Sequence, residues 1–325
     1  MIKAFFGSKK WALWAYGGGI TLLVLSYMLV HLSVRFNIWY GGFYDIIQKT
    51  QEHTLDEYWN SLAQFMWLAL PYIAIATVMD IVAFFYAFKW REAITFNYVP
   101  RWRKVSNKIE GESQRLQEDP ALYAEIVESL GLQAVNAAMT LIAFIPLLWG
   151  LSKGINFWIF QDFPGLLVWV ALTVSIGGMA ITWIVAKRLP KLEYNNQMVE
   201  AAFRKELVLA EEDKANYGSM PKVIELFTGI KRNYYRLYMN KGYVSLWLNT
   251  YGQCMVIVPF VIVGPSLMAG VVTLGLAMQV VNSFGEVRSS LAVVINNWTR
   301  ITRLRSIWMR LHEFEDNLDK SPHPS

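Results

Sequence analysis

The sequence predicts an all-α, polytopic membrane protein with six transmembrane helices whose inner ends continue as long cytoplasmic stalks. Three observations predict this. Of 325 residues 54% are hydrophobic, with 14 Trp, 16 Tyr and 18 Phe, more apolar than a soluble domain of this length. Long, mainly apolar runs recur at lengths near the ~20 residues that cross ~30 Å of hydrocarbon. Basic residues gather on alternate connections.

The runs lie near Trp11 to Val34, Ser61 to Phe88, Leu130 to Leu151, Gly165 to Ala186, Val244 to Val263 and Ser266 to Phe284. Pro71, Pro146 and Pro259 interrupt three of them. Membrane helices tolerate this because neighbouring groups satisfy the freed carbonyls. The first run is too long for a signal peptide, lacks a small-x-small cleavage site, and continues into the aromatic "RFNIWYGGFYDIIQ". With the N-terminus inside, 27 of the 30 Lys and Arg fall on the cytoplasmic side, leaving Arg35, Lys49 and Lys153 outside. Under the positive-inside rule both termini are cytoplasmic. The formal net charge of +5 is then an orientation signal, not a nucleic-acid-binding surface.

The connections after the second and fourth runs are long and read as helical. "KWREAITFNYVPRWRKV" and "KLEYNNQMVEAAFRKELVLAEEDK" mix charge with apolar residues at spacings of three and four. The acidic stretch "IEGESQRLQEDPALYAEIVESLG" is expected to be a cytoplasmic turn and helix feeding directly into the third span. Residues 1–310 form the transporter domain on this reading. Residues 311–325 form a cytoplasmic tail, with "PHPS" disordered.

No G-x-x-x-x-G-K-[ST] occurs, and about forty residues follow the sixth span, so a nucleotide-binding domain is not expected within the chain. His31, His53, His312 and His323 are scattered without paired ligand spacing, and hydrolase motifs are missing. Cys254 is single. Neither an enzyme nor a metal site is expected. The expected coupling agent is the proton, carried by a carboxylate in or near the membrane, since loss of water favours its neutral form.

Six spans with two long cytoplasmic hairpins is the layout of an ABC-exporter membrane half. "WYGGFYDIIQ", "FKWREAI", "IEGESQRLQED", "NAAMTLIAFIPLL", "RLPKLEYNNQMVEAAFRKELV", "RNYYRLY" and "TLGLAMQVVNSFGEVRSSLAVVINNWT" occur in order along nearly the whole chain. In these stretches the chain resembles the SbmA/BacA family of bacterial peptide-antibiotic transporters. The resemblance implies an ABC-exporter-like fold without an ATPase in the bacterial inner membrane. It also implies proton-driven import of cationic or proline-rich peptides and peptide-like antibiotics. Longer family members carry an additional N-terminal membrane region that this chain would lack. "QRLQED" also resembles the coupling region of related half-transporters for acyl-CoA, which implies conformational coupling by Arg115, Glu118 and Asp119.

Glu128, at the inner end of the third span in "IVESLG", is the first proton-coupling candidate, with Gly131 expected to permit close helix approach. The resemblance adds Glu200 and Glu211 on the stalk after the fourth span. Salt bridges to Arg204, Lys205 or a partner stalk are the competing role for these acids. Asp80 lies inside the second span, where an ionisable group needs a cavity or partner. Glu286 and Arg288 read as conformational contacts, and Asn297 as a pathway or packing residue. The loop from Arg35 to Trp59 carries Asp45, Glu52, Asp56 and Glu57 against Arg35 and Lys49, a mouth that attracts cations. Asp45, Trp39 and Tyr44 are its substrate-pathway candidates, the aromatics through cation–π contacts or as an ordinary interface belt.

Six helices cannot easily enclose a peptide-sized cavity, whereas twelve from two copies can, so a homodimer is expected, with spans four and five reaching across to the partner. Two other readings stay open. One is a membrane subunit served by a separate ATPase. The other is a non-transporting membrane protein.

Overall fold

The computed structural model describes residues 1–105, 111–155 and 163–320. The described residues form helices α1 (Ile2–Phe6), α2 (Gly19–Gln48), α3 (Leu55–Trp102), α4 (Glu112–Leu151), α5 (Leu166–Ala186), α6 (Leu189–Glu212), α7 (Met220–Met268), α8 (Leu274–Asn296) and α9 (Trp298–Lys320). A π-helical turn, Leu13–Gly18, leads into α2. At 1.5 Å per residue, α3, α4 and α7 extend roughly 60 to 75 Å, about twice the ~30 Å of hydrocarbon. Each is therefore long enough to cross the hydrocarbon and continue well beyond it. The acidic stretch behaves as expected from Glu112 onward, because α4 runs without a break to Leu151. Pro71, Pro146 and Pro259 all lie inside continuous helices.

Five helical runs among the described residues are long and apolar enough to cross a membrane: Leu13–Gln48, Leu55–Trp102, Glu112–Leu151, Leu166–Glu212 and Met220–Met268. The expected sixth span, Ser266 to Phe284, is not one helix and is divided between the end of α7 and the start of α8. Residues 266–268 still belong to α7, and the chain turns over 269–273 with Gly270 at φ 71°. The helix that follows, α8, carries Asn282, Glu286 and Arg288, and this polarity separates it from the other runs.

Two further boundaries move. The expected outer loop from Arg35 to Trp59 is mostly helix. Asp45, Asp56 and Glu57 lie on helix ends, with Glu52 in the turn between them, because α2 reaches Gln48 and α3 begins at Leu55, after Thr54, whose Oγ1 accepts the Glu57 N–H at 3.3 Å. The expected tail from residue 311 is core, since Leu311, Phe314 and Leu318 are buried in α9. The "PHPS" segment lies outside the described residues, as do residues 156–162 of the connection after α4.

The chain divides into two units, Met1–Leu172 with Pro259–Ser325, and Thr173–Val258. The core of the first unit is an aromatic lattice. Phe5 stacks on Trp90 at 5.3 Å and meets Tyr86 edge-on at 5.4 Å, while Tyr98 meets Phe314 at 5.6 Å. Ile94, Ile307 and Leu311 fill the space between the rings. The second unit is a helical hairpin. Trp247 Nε1 donates to Thr182 Oγ1 at 2.9 Å, Phe203 meets Phe227 at 6.0 Å, and Lys241 pairs with Glu193 at 3.1 Å.

Candidate functional site

Glu128 lies on α4 between an aromatic core and an open apolar cavity. It is half-buried, and its Oε1 has no hydrogen-bond partner among the described residues. The cavity, about 400 Å³, is lined by Leu22, Tyr86, Trp90, Val127, Gly131 and Leu132 beside Glu128. Tyr86, across from Glu128, spends its hydroxyl on the Ala15 carbonyl at 3.2 Å. The charged groups acting on Glu128 are Arg300, Glu125 and Asp80. Asp80, exposed on α3, and Glu128 were separate candidates in the sequence, and the fold places them within electrostatic reach of each other. Arg300, at the start of α9, was not singled out at all. A basic residue among many in the last forty carries no signal until α9 folds against α4.

Glu125, one turn before Glu128, is exposed to solvent. Gly131 does not serve close helix approach, since a Cβ there would meet nothing within 4 Å. Its missing side chain instead leaves the cavity open beside Glu128.

A second cleft, about 570 Å³, opens among α2, α3, α4 and α8. Asn37, Tyr40, Tyr72, Asn282 and Glu286 bring polar groups to it, with Phe36 and Phe144 among its apolar walls. Asn37 Nδ2 donates to Ser283 Oγ at 2.7 Å. Asn37 Oδ1 and Asn282 Nδ2 are buried without a hydrogen-bond partner among the described residues. Glu286, expected only as a conformational contact, is half-buried on this cleft. Asn37 and Asn282 were missed. Their signal was the stripe Asn282, Gly285, Glu286, Ser289, which an i, i+3, i+4, i+7 reading puts on one helix face.

The remaining pathway candidates are held by packing. Asp45 Oδ1 accepts the Gly275 N–H at 2.8 Å and Gln48 Oε1 accepts the Leu274 N–H at 2.7 Å, so both cap the start of α8. Trp39 Nε1 donates to the Ser61 carbonyl at 2.8 Å, and its ring stacks on Phe43 at 4.8 Å. It also lines a cleft of about 840 Å³ with Arg35, His53, Glu57 and Trp67. Tyr44 stacks on Tyr40 at 6.3 Å. Asn297 is buried, donating to Gln133 Oε1 at 2.8 Å and to the Val293 carbonyl at 2.9 Å.

The "QRLQED" residues fasten α4 to α9. Fully buried Asp119 accepts two hydrogen bonds from Arg310, at 2.9 Å from Nε and 2.5 Å from Nη2, and this raises the Arg310 pKa above its ordinary value. Arg115 reaches Glu313 at 3.6 Å, and exposed Glu118 adds charge near Arg310. Arg288 is half-buried on α8.

In the second unit, Glu200 borders a cleft of about 360 Å³ with Phe227, Lys231, Tyr234 and Tyr238. Glu211 is exposed near the end of α6. Glu206 Oε1 accepts the Gly218 N–H at 2.9 Å across the turn to α7. That turn is built on Asp213, whose carboxylate takes the Ala215 and Asn216 N–H groups and the Asn216 side chain, holding its pKa below the usual carboxylate value.

A family model described as SbmA/BacA-like matches residues 8–319. The Inner membrane ABC transporter ATP-binding protein YddA of Escherichia coli K12 is 26% identical over 324 residues, covering 93% of this chain and 57% of that protein. The chloroplastic ABC transporter D family member 2 of Arabidopsis thaliana is 26% identical over 316 residues, covering 92% of this chain and 42% of that protein. The chain thus spans about half the length of the curated relatives it matches.

Proposed function

The chain belongs to the SbmA/BacA-like family of membrane transport proteins, and we propose that it is a proton-driven importer of peptides and peptide-like antibiotics. It acts as a homodimer with an ABC-exporter-like fold in the bacterial inner membrane, α8 serving as the sixth span and both termini facing the cytoplasm. The single observation that carries the reading is Glu128. Its carboxylate is half-buried, has an oxygen without a partner, and borders an apolar cavity within reach of Asp80 and Arg300. A carboxylate so placed can alternate between a proton and the Arg300 charge as its partner, which is what coupling to a gradient requires.

A second reading is favoured by the relatives, whose names mark them as ABC transporter proteins and whose lengths exceed the matched portion. In it, this chain is the membrane half of a transporter whose ATPase is a separate polypeptide.

Proteoliposomes free of nucleotide, given an imposed inward proton gradient and a labelled cationic peptide, separate the two. Uptake that follows the gradient and stops with an ionophore is the expected result. Uptake that ignores the gradient and needs an added ATPase with ATP would replace the first reading with the second.

A further inference from the structure

We propose that the cleft among α2, α3, α4 and α8 is a recognition pocket for a guanidinium or ammonium group of the substrate, with Glu286 as its counter-charge. The inference rests on the importer reading for the identity of the molecule carrying that group.

Glu286 is the one charged side chain among the described residues lining the cleft, and no ion-pair partner for it occurs among the described residues. A half-buried carboxylate left without a cation is costly, and such a cost persists where a ligand supplies the missing charge. The neighbouring groups suit a cation with several N–H donors. Asn37 is 2% exposed, and while its Nδ2 is spent on Ser283, its Oδ1 is left as an unmatched acceptor. The Tyr40 and Tyr72 side chains add hydroxyl acceptors at the cleft wall. Phe36 packs against Tyr72 at 5.7 Å and against Phe65 at 5.5 Å, so a cluster of ring faces borders the same space. Aromatic faces, a carboxylate and an amide oxygen together favour a planar guanidinium over any neutral group.

The position also fits capture. Glu286 lies twelve residues into α8, about 18 Å from its start. With α8 crossing from outside to inside as proposed, that distance is measured from its outer end. Asp45 and Gln48 hold the first turn of α8, and Asn37 ties the helix at Ser283, so the face bearing Asn282 and Glu286 is fixed at two heights.

The test uses the full chain in lipid nanodiscs and two fluorescein-labelled peptides of equal length, one with arginines and one with citrullines. Citrulline keeps the shape of arginine but removes its charge. Fluorescence anisotropy should show the wild-type protein preferring the arginine peptide by about tenfold or more, the range of a charge-assisted hydrogen bond. Glu286→Gln should bind both peptides as the wild type binds the citrulline one. Glu286→Asp, which retains the charge, should keep part of the preference and controls for folding. An unchanged preference in Glu286→Gln overturns the pocket while leaving the importer intact, and so does equal binding of both peptides by the wild type. If the wild type binds neither peptide, the peptide reading fails. Agmatine then decides the pocket alone: binding lost in Glu286→Gln sustains it, and no binding to the wild type overturns it.

Discussion

At the scale of single residues, Glu128 and Glu125 form a natural experiment because they share a helix, a charge and a neighbourhood but differ in solvation. Glu125 is exposed, whereas Glu128 is half-buried with an unmatched oxygen on an apolar cavity. Glutamine preserves size and hydrogen bonding but cannot exchange a proton. Glu128→Gln is therefore expected to reduce gradient-driven uptake at least a hundredfold while expression and assembly stay near wild type. Glu125→Gln should retain most uptake. Proteoliposome assays of both variants check this, and equal loss would point to a general field of the acidic segment. Of this site, Glu128 and Asp80 were legible in the sequence because a carboxylate beside or inside an apolar run is conspicuous. Their proximity was not, since it depends on how α3 and α4 pack. Arg300 was invisible for the same reason.

At the scale of elements, the seam between α2 and α8 explains the recurring small and polar residues in "WYGGFYDIIQ" and "TLGLAMQVVNSFG". Asn37, Gly41, Asp45 and Gln48 rise at spacings of four, four and three along one face of α2. They meet Ser283, Gly275 and Leu274 in antiparallel order. A Cβ at Gly275 would run into the Gly41 carbonyl oxygen and the Asp45 carboxylate, both fixed in place, whereas one at Gly131 would touch nothing. Gly275→Ala is expected to cost roughly 1–3 kcal/mol through overpacking and loss of the Asp45 cap, while Gly131→Ala leaves stability nearly unchanged. Thermal unfolding in detergent, followed by intrinsic Trp fluorescence, reads the difference. The stripe could be seen in the sequence but its meaning could not, because an acidic outer loop and a helix-capping seam present the same residues. What favoured the loop reading was the expectation that helices end with the membrane, and here α2 does not stop until Gln48. The sixth span slipped for a related reason. The expected break before Ser266 does not occur, because α7 continues through Pro265 and the turn waits for Gly270 at positive φ.

At the scale of the whole molecule, what matters is whether one chain or two enclose the path. Each unit taken by itself leaves large apolar side chains exposed, among them Phe84 and Ile142 in the first and Trp183 and Leu246 in the second. Lipid covers part of such surface without a driving force for further packing, so apolar exposure alone does not establish a partner. Function does, if the two copies work as a unit. Proteoliposomes prepared from equal amounts of wild-type and Glu128→Gln chains, mixed before assembly, should then transport at about a quarter of the wild-type rate when both carboxylates are needed in each dimer. Independent chains would give about half, and a dimer that runs on a single intact carboxylate about three quarters. Tagging the two chains differently and purifying through both tags isolates the mixed species, whose activity reads the coupling directly. A mixed dimer that transports nothing means that both copies must bind and release a proton in each cycle. Failure to recover any doubly tagged species from the membrane would overturn the homodimer.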